Sequence, residues 1–577
     1  MSQGVSKPMS TAKVFRAACL ALGLVILGAS CTGPQQDSAG TGVRGGTLRV
    51  LSFELIDGLD TAAVYTPTSL AIARSYARTL YGYNLAGPPG QVTVPVPDIA
   101  SSYQLSADRR TYTFTLRPGV RYAPPVNREV TATDFITAIQ RFYDIDSAGQ
   151  QYAKLIAGAT AFGARKARRI SGLAAPDART LKITLVQPAP DLLSILTLPL
   201  FAPVPGKYAA TYAVGDNYSG HVVGSGPYTR TTYDPGKLVV LDRNPNWDPA
   251  TDPLRRVWVD RIRVRLDIPL ASIQRAIERD QADLSLSSHV PAKQVAALRA
   301  DPERSGRVSV NPTSCLFFLA LGTHRAAGAI ADVRVRQAVN YAIDKIAYRD
   351  AVAGKFAATG DLASTILPAT SLGHRRYDLY PTPGSRGDPV KARALLAEAG
   401  YPNGLTLRFA TFGSGRYAAA TKPIKASLAR AGIELKVSTF KGDDLWDKSL
   451  GVPAKRLEHQ LGLNAWCPDY LGDNGRGTIV PRFDGRLLKP NIGANISEYD
   501  NPAVNRLIDR ALAEPDQTRR AALWGEIDQR IMRDAPLVPL IWENFSYQWT
   551  SRVHGWRYDP WTSMPDLTAP WLDPPSP

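Results

Sequence analysis

The stretch Thr111-Tyr112-Thr113-Phe114-Thr115-Leu116-Arg117-Pro118-Gly119-Val120, followed by Thr131-Ala132-Thr133-Asp134-Phe135, decides the fold class. Tyr112, Phe114 and Leu116 alternate with three threonines. Successive strand side chains point to opposite faces, so this alternation predicts a half-buried strand. Arg117-Pro118-Gly119 then reads as a turn. From Thr133 the apolar period changes from 2 to 3.6. Phe135, Ala138, Ile139 and Phe142 line one face of a helix, and Asp134 suits the positive end of its dipole.

The same switch recurs outward along the chain. Leu181, Ile183 and Leu185 alternate as a strand that Gln187-Pro188 closes. Leu238 and Val240 belong to another, and Val257, Val259, Ile262, Val264 and Leu266 continue a sheet. Asp332 is a good N-cap for one helix carrying Val335, Ala338, Val339, Ala342 and Ile346. Asp388-Pro389 opens a further helix, which Gly400 ends. Strand Leu405-Leu407-Phe409, a helix around Lys425 to Ala431 and strand Leu435-Val437 complete an αβ alternation. The expectation is α/β architecture with mixed sheets in more than one lobe. Pro88-Pro89 and Pro574-Pro575 read as linker and tail.

The N-terminus looks like an export signal over residues 1–30. Lys7, Lys13 and Arg16 form a basic segment, and the apolar run Ala17 to Leu27 has the length of a signal core, too short to span a bilayer comfortably. Gly28, Ala29 and Ser30 lead into Cys31, which is expected to carry a lipid anchor; plain secretion is the alternative. Residues 31–45 are small and polar, as befits a flexible tether. Of the four cysteines, Cys19 leaves with the signal and Cys31 takes the lipid. Cys315 and Cys467 remain, and a lone pair in an exported protein reads as a disulfide rather than a metal site. The net charge of +17 is spread over scattered arginines. The denser runs are Arg165-Lys166 with Arg168-Arg169, and Arg261, Arg263 and Arg265, which alternate as on the solvent face of a strand. Nucleic-acid binding needs a concentrated patch with stacking aromatics. Proximity to anionic lipid fits this charge better.

Ala465-Trp466-Cys467-Pro468-Asp469-Tyr470 sets an indole, a half-cystine, a lone acid and a phenol side by side. Desolvating a carboxylate alone costs several kcal/mol, so a buried Asp469 requires a cation, and an incoming ammonium group is one. The alternative is a strand end with an ordinary surface aspartate. Enzyme motifs are missing: there is no Gly-x-Ser-x-Gly elbow, and the six histidines show no metal spacing. Gly224-Ser225-Gly226 is followed by Pro227-Tyr228 rather than a phosphate-binding lysine, so it reads as a tight turn. Asp443-Asp444 reads as a solvated loop pair. The chain reads as a non-enzyme that holds a ligand, with no cofactor and no metal.

Several blocks together resemble the family 5 extracellular solute-binding proteins of ABC importers, the dipeptide- and oligopeptide-binding family. These are Ala100-Ser101-Ser102-Tyr103 through Asp134-Phe135, Gly224 to Tyr228 with Arg243-Asn244-Pro245-Asn246-Trp247, Val333 to Asp344, and Trp466 to Tyr470. They occur in order from about Gly45 to Trp556. The resemblance implies a periplasmic-binding-protein-like fold of type II, with two lobes that close over the ligand and an extra inserted domain. It implies lobe I from 46–82, 223–314 and 545–577, the inserted domain II from 83–222, and lobe II from 315–544. It further implies that Asp469 holds the α-ammonium of a peptide, that Cys315 and Cys467 are bonded, and that neighbours of Asp469 offer backbone groups to an extended ligand. One departure is Leu463, where some relatives carry an arginine for the carboxylate of short peptides.

The expected function is a monomeric, lipid-anchored receptor on the outer face of the cell membrane that delivers peptides to a permease and its ATPases. Trp466, Tyr470 and Cys467 are expected beside the ligand, with the two aromatics either shaping the wall or packing in the core. Tyr65, just after the first strand, lines the opposite side or sits on a surface loop. A non-peptide solute (nickel chelate, glycan, opine or antibiotic) is the alternative on the same fold, and a secreted hydrolase the alternative off it.

Overall fold

The computed structural model describes residues 42–212, 216–288, 290–353, 359–441, 444–488 and 493–574. The export signal, Cys31, the tether up to residue 41, His289, Asp443 and Pro575 lie outside them. Three large sheets, each with its own apolar cluster, organise the described residues, and three two-stranded ribbons accompany them.

The first sheet runs Leu284–Ser285, Thr47–Leu51, Arg261–Arg265, Leu238–Arg243, Tyr228–Asp234 in spatial order. Thr47–Leu51 is parallel to both its neighbours, and the remaining pairs are antiparallel. Leu48, Val50, Val239, Leu241, Ile262 and Val264 face one core. Arg261, Arg263 and Arg265 point to the exposed side, as their alternation predicts. Val257 and Val259 are buried too, but the strand itself begins only at Arg261.

The second sheet is antiparallel, in the order Ala100–Leu105, Thr111–Leu116, Thr180–Thr184, Leu173–Asp177. Tyr112, Phe114 and Leu116 are buried against Phe135, Ile139 and Phe142 of helix Ala132–Asp144. Asp134 closes a capping box: the Thr131 backbone N–H donates to its Oδ2 at 2.9 Å, satisfying a donor at the helix start.

The third sheet is ordered Thr359–Leu362, Leu537–Gln548, Val308–Leu321, Leu461–Trp466, Leu405–Phe412, Ile433–Phe440. Its two long strands, Val308–Leu321 and Leu537–Gln548, pair antiparallel from Val308 opposite Gln548 to Pro312 opposite Asn544. The register then slips and resumes at Leu316 opposite Trp542. The early half belongs with the first sheet: the Ser546 amide donates to Ser288 Oγ at 3.0 Å, and Gln274 Nε2 to Gln548 Oε1 at 2.9 Å. The chain thus leaves the neighbourhood of the first sheet along one strand and returns to it along the other. Past it, Trp549, Val553, Met564, Leu567 and Leu572 rejoin the first core.

Two local expectations change. The helix capped by Asp332 (Arg334 N to Oδ1, 2.8 Å) ends at Ala342, because Ile343 is extended and the Asp344 side chain caps a new helix through the Ala347 N–H at 2.7 Å. Ile346 therefore belongs to Lys345–Ala353. Gly224 and Gly226 serve close approach rather than turn geometry: a Cβ at Gly224 would lie 1.9 Å from the Tyr76 carbonyl oxygen. Among the described residues, no helix is long and apolar enough to cross a membrane.

Candidate functional site

Trp466 is the last paired residue of strand Leu461–Trp466, opposite Leu316. One step on, Cys467 is bonded to Cys315, at the edge of the register slip in the long strand. The bond fixes the direction in which residues 468–470 leave the sheet. It closes a separation of 152 residues, worth about 4–5 kcal/mol in the chain-entropy treatment. Trp466 is half-buried; its Nε1 donates to the Gly477 carbonyl at 3.0 Å.

Asp469 draws together residues far apart in the chain. Its Oδ1 accepts at 2.6 Å from the hydroxyl of Tyr65, which lies between the strand Thr47–Leu51 and the helix Pro67–Tyr76. Its Oδ2 accepts from the hydroxyl of Tyr152, which packs in the second sheet's core, and, at 3.4 Å, from Gln151 Nε2. Its backbone carbonyl accepts from Trp561 Nε1 at 2.7 Å. Tyr65 is placed by Asp57, whose Oδ2 accepts the Tyr65 and Thr66 amides at 2.6 and 2.9 Å. Tyr65 is 44% exposed, so it is a surface residue that also lines the site.

All side-chain partners of Asp469 are neutral. Among the described residues it has no ion pair with lysine, arginine or histidine. Desolvation raises its pKa, against the lowering effect of the Tyr152 and Tyr65 hydrogen bonds. Burial, reinforced by the Asp469 charge, pushes both phenols above their usual range, so they remain donors. The arrangement is a fixed carboxylate, oriented by two hydroxyls and lacking a counter-ion. It can accept an ammonium group; among the described residues its side-chain partners are two phenols and one carboxamide.

Of the other expected site residues, Tyr470 is fully buried and belongs to the core. Its hydroxyl donates to Asp191 Oδ2 at 3.0 Å, and its ring meets Tyr152 edge-on at 5.9 Å. It supports the site through Tyr152. Arg476 pairs with the same Asp191 at 2.7 Å. Tyr152, Gln151 and Trp561 carry no local signal in the sequence that marks them. Among the described residues no group of three or more His, Cys, Asp or Glu is placed to hold a metal.

Two lobes joined by a pair of strands, an inserted domain and a recessed charge at their junction define a solute-binding protein of the periplasmic type. The chain matches the bacterial extracellular solute-binding proteins, family 5 (middle), over residues 94–476, and it belongs to that family. It is 26% identical over 551 residues to the di/tripeptide-binding protein 2 of Pseudomonas aeruginosa (strain UCBPP-PA14), covering 91% of this chain and 95% of that one. The periplasmic oligopeptide-binding protein OppA of Escherichia coli (strain K12) is 25% identical over 77% of this chain and 79% of its own. Among solved structures, clavulanic acid biosynthesis oligopeptide binding protein 2 superposes with a TM-score of 0.85 at 31% identity, covering 94% of this chain and 97% of that one. DppA from Helicobacter pylori, in complex with the peptide STSA, shares the fold with a TM-score of 0.70 at 22% identity, over 92% and 99% of the two chains.

Proposed function

We propose that this protein is the substrate-binding lipoprotein of an ABC importer, capturing extended peptides between its lobes and passing them to the permease and ATPase subunits. The observation that carries this reading is Asp469: a half-buried carboxylate, aimed by two phenols and short of a positive charge. A peptide's α-ammonium supplies that charge and takes over the role that an internal arginine would otherwise fill. The names of the relatives, which bind di-, tri- and oligopeptides, support the same ligand class. Closure follows from differential affinity: a ligand held by both lobes favours the closed arrangement.

The division into lobe I (46–82, 223–314, 545–577), inserted domain (83–222) and lobe II (315–544) is supported by the register slip between Pro312 and Leu316, next to the first crossing. Cys31 is the proposed lipid anchor on the outer face of the membrane, and the receptor is proposed to act as a monomer. Asp469, Tyr65 and Trp466 are the proposed ligand contacts, with Cys467 bracing them.

The test is mass spectrometry of what co-purifies with the protein, released by acid. A ladder of mixed short peptides is the expected result and gives the length range directly. A single non-peptide mass would overturn the peptide reading and make Asp469 a contact to that ligand's cation or hydroxyl. Turnover of an added peptide would point to a hydrolase.

A further inference from the structure

A cavity of about 230 Å³ opens on lobe I, away from Asp469, lined chiefly by Arg44, Arg243, Arg256, Trp247 and Trp258. Its size lies just below the roughly 300–1,000 Å³ of sites that engulf a drug-sized molecule, so it suits a small head group. Its charge is one-sided. Arg243 is paired, with Nε 2.9 Å from Asp260 Oδ1. Arg256 only donates Nη1 to the Arg255 carbonyl, at 3.0 Å, and Arg44 has no acidic partner among the described residues. Both are exposed, and two guanidinium groups are left uncompensated at the mouth.

The pocket also marks where the chain enters the folded body. Gly42 lies flat on the Trp258 indole, where a Cβ would come within 2.7 Å of the ring, and the Gly45 amide donates to the Trp258 carbonyl at 2.8 Å. Ten residues, 32–41, lie between the proposed anchor, Cys31, and the body at Gly42, a span of eleven Cα–Cα steps. Fully extended, that reaches at most about 40 Å, so an anchored body stays close to lipid. Planar guanidinium forks match the oxygens of a phosphate, and tryptophan favours the boundary between lipid and water.

From this geometry we infer that the Arg44–Arg256–Trp258 pocket binds the phosphate of an anionic phospholipid head group and seats lobe I on the membrane beside its tether. Arg44 and Arg256 hold the phosphate oxygens, and Trp247 and Trp258 cover the glycerol portion.

The test uses the full chain in nanodiscs of phosphatidylcholine alone or with phosphatidylglycerol, reading amide hydrogen exchange over residues 243–258. Phosphatidylglycerol is expected to slow exchange there about tenfold, with the long strands Val308–Leu321 and Leu537–Gln548 unchanged as the control for folding. Arg44→Gln with Arg256→Gln is expected to abolish the effect. Arg263→Gln with Arg265→Gln, which removes the same charge from the exposed face of the first sheet, is expected to preserve it. Equal exchange in both discs overturns the site. So does equal loss in the two double variants, which would reduce the effect to net charge. Protection by inorganic phosphate in phosphatidylcholine discs, matching that of the lipid, would assign the pocket to free phosphate and overturn the membrane role.

Discussion

Two sets of recessed aspartates in this protein are built in opposite ways. Asp98 of the proposed inserted domain and Asp252 of the proposed lobe I are sealed in with Arg78 and Arg255. Arg78 lies 2.8 Å from Asp98, and Arg255 lies 2.8 Å from Asp98 and 3.3 Å from Asp252. Burial alone would raise the pKa of Asp252, but the Arg255 and Arg78 charges hold it well below the carboxylate range. At the junction of the lobes, Asp469 has phenols where Asp98 has guanidinium groups, and its pKa is raised. A structural charge is neutralised from within the chain, whereas the proposed recognition charge is left for the ligand to neutralise. A raised pKa is not sufficient by itself. Asp528 is also raised by burial, but it is fully enclosed, held by Tyr377 and the amides of Ile366 and Leu367 at 2.7–3.2 Å, and it feels the charge of the buried Arg482. What distinguishes Asp469 is that it faces the place where three parts of the molecule meet.

The sharpest way to break this contrast is to truncate one acid of each kind. Asp98→Ala leaves two buried guanidinium groups to share one carboxylate, Asp252, and is expected to cost about 3–5 kcal/mol of folding stability, measured by denaturant unfolding. Asp469→Ala is expected to leave stability unchanged or slightly higher, since a desolvated charge is removed. Its effect falls on binding instead: roughly 2–5 kcal/mol, on the order of 10²–10³-fold in Kd for a free-amine peptide by calorimetry. An N-acetylated peptide is expected to bind wild type and variant with equal weakness. If Asp469→Ala unfolds the protein and spares binding, the two acids have been assigned the wrong way round.

Smaller changes sharpen the comparison. Tyr152→Phe removes a hydrogen bond to the charged form of Asp469, worth about 1.5–3 kcal/mol, and is expected to weaken peptide affinity about tenfold. Tyr65→Phe is expected to do less, because the more exposed Tyr65 hydroxyl is replaced readily by water.

The mildest test is pH. A protonated Asp469 has no charge for an ammonium group, so affinity is expected to fall on acidification, beginning above the usual carboxylate range because its pKa is raised. Stability of the ligand-free protein moves in the other direction. With the folded pKa above the unfolded one, this group's contribution is present at low pH and is lost as pH rises through the raised value. Asp469→Asn is expected to remove both dependences, read by calorimetry and by unfolding against pH.

Much of the fold was legible because it rests on local periodicity. The Tyr112–Leu116 alternation, the Asp134 cap, the Asp388-Pro389 start and the exposed arginines of Arg261–Arg265 each follow from neighbouring residues. The break after Ala342 was not legible, since Val335 to Ile346 keep one helical period across Ile343 and only the second cap at Asp344 ends it.

The site divides along the same line. By itself the sequence determined that a lone acid stands beside a tryptophan and a half-cystine at the end of a strand, because that unusual composition is contiguous. Only the tertiary structure decided that Tyr65, Gln151, Tyr152 and Trp561 surround it, that Tyr470 is core, and that no cation among the described residues pairs with it. Those partners stand as far as 404 residues from Asp469. Contacts at such separations are set by how whole lobes pack, which leaves no mark in the pattern of neighbouring residues.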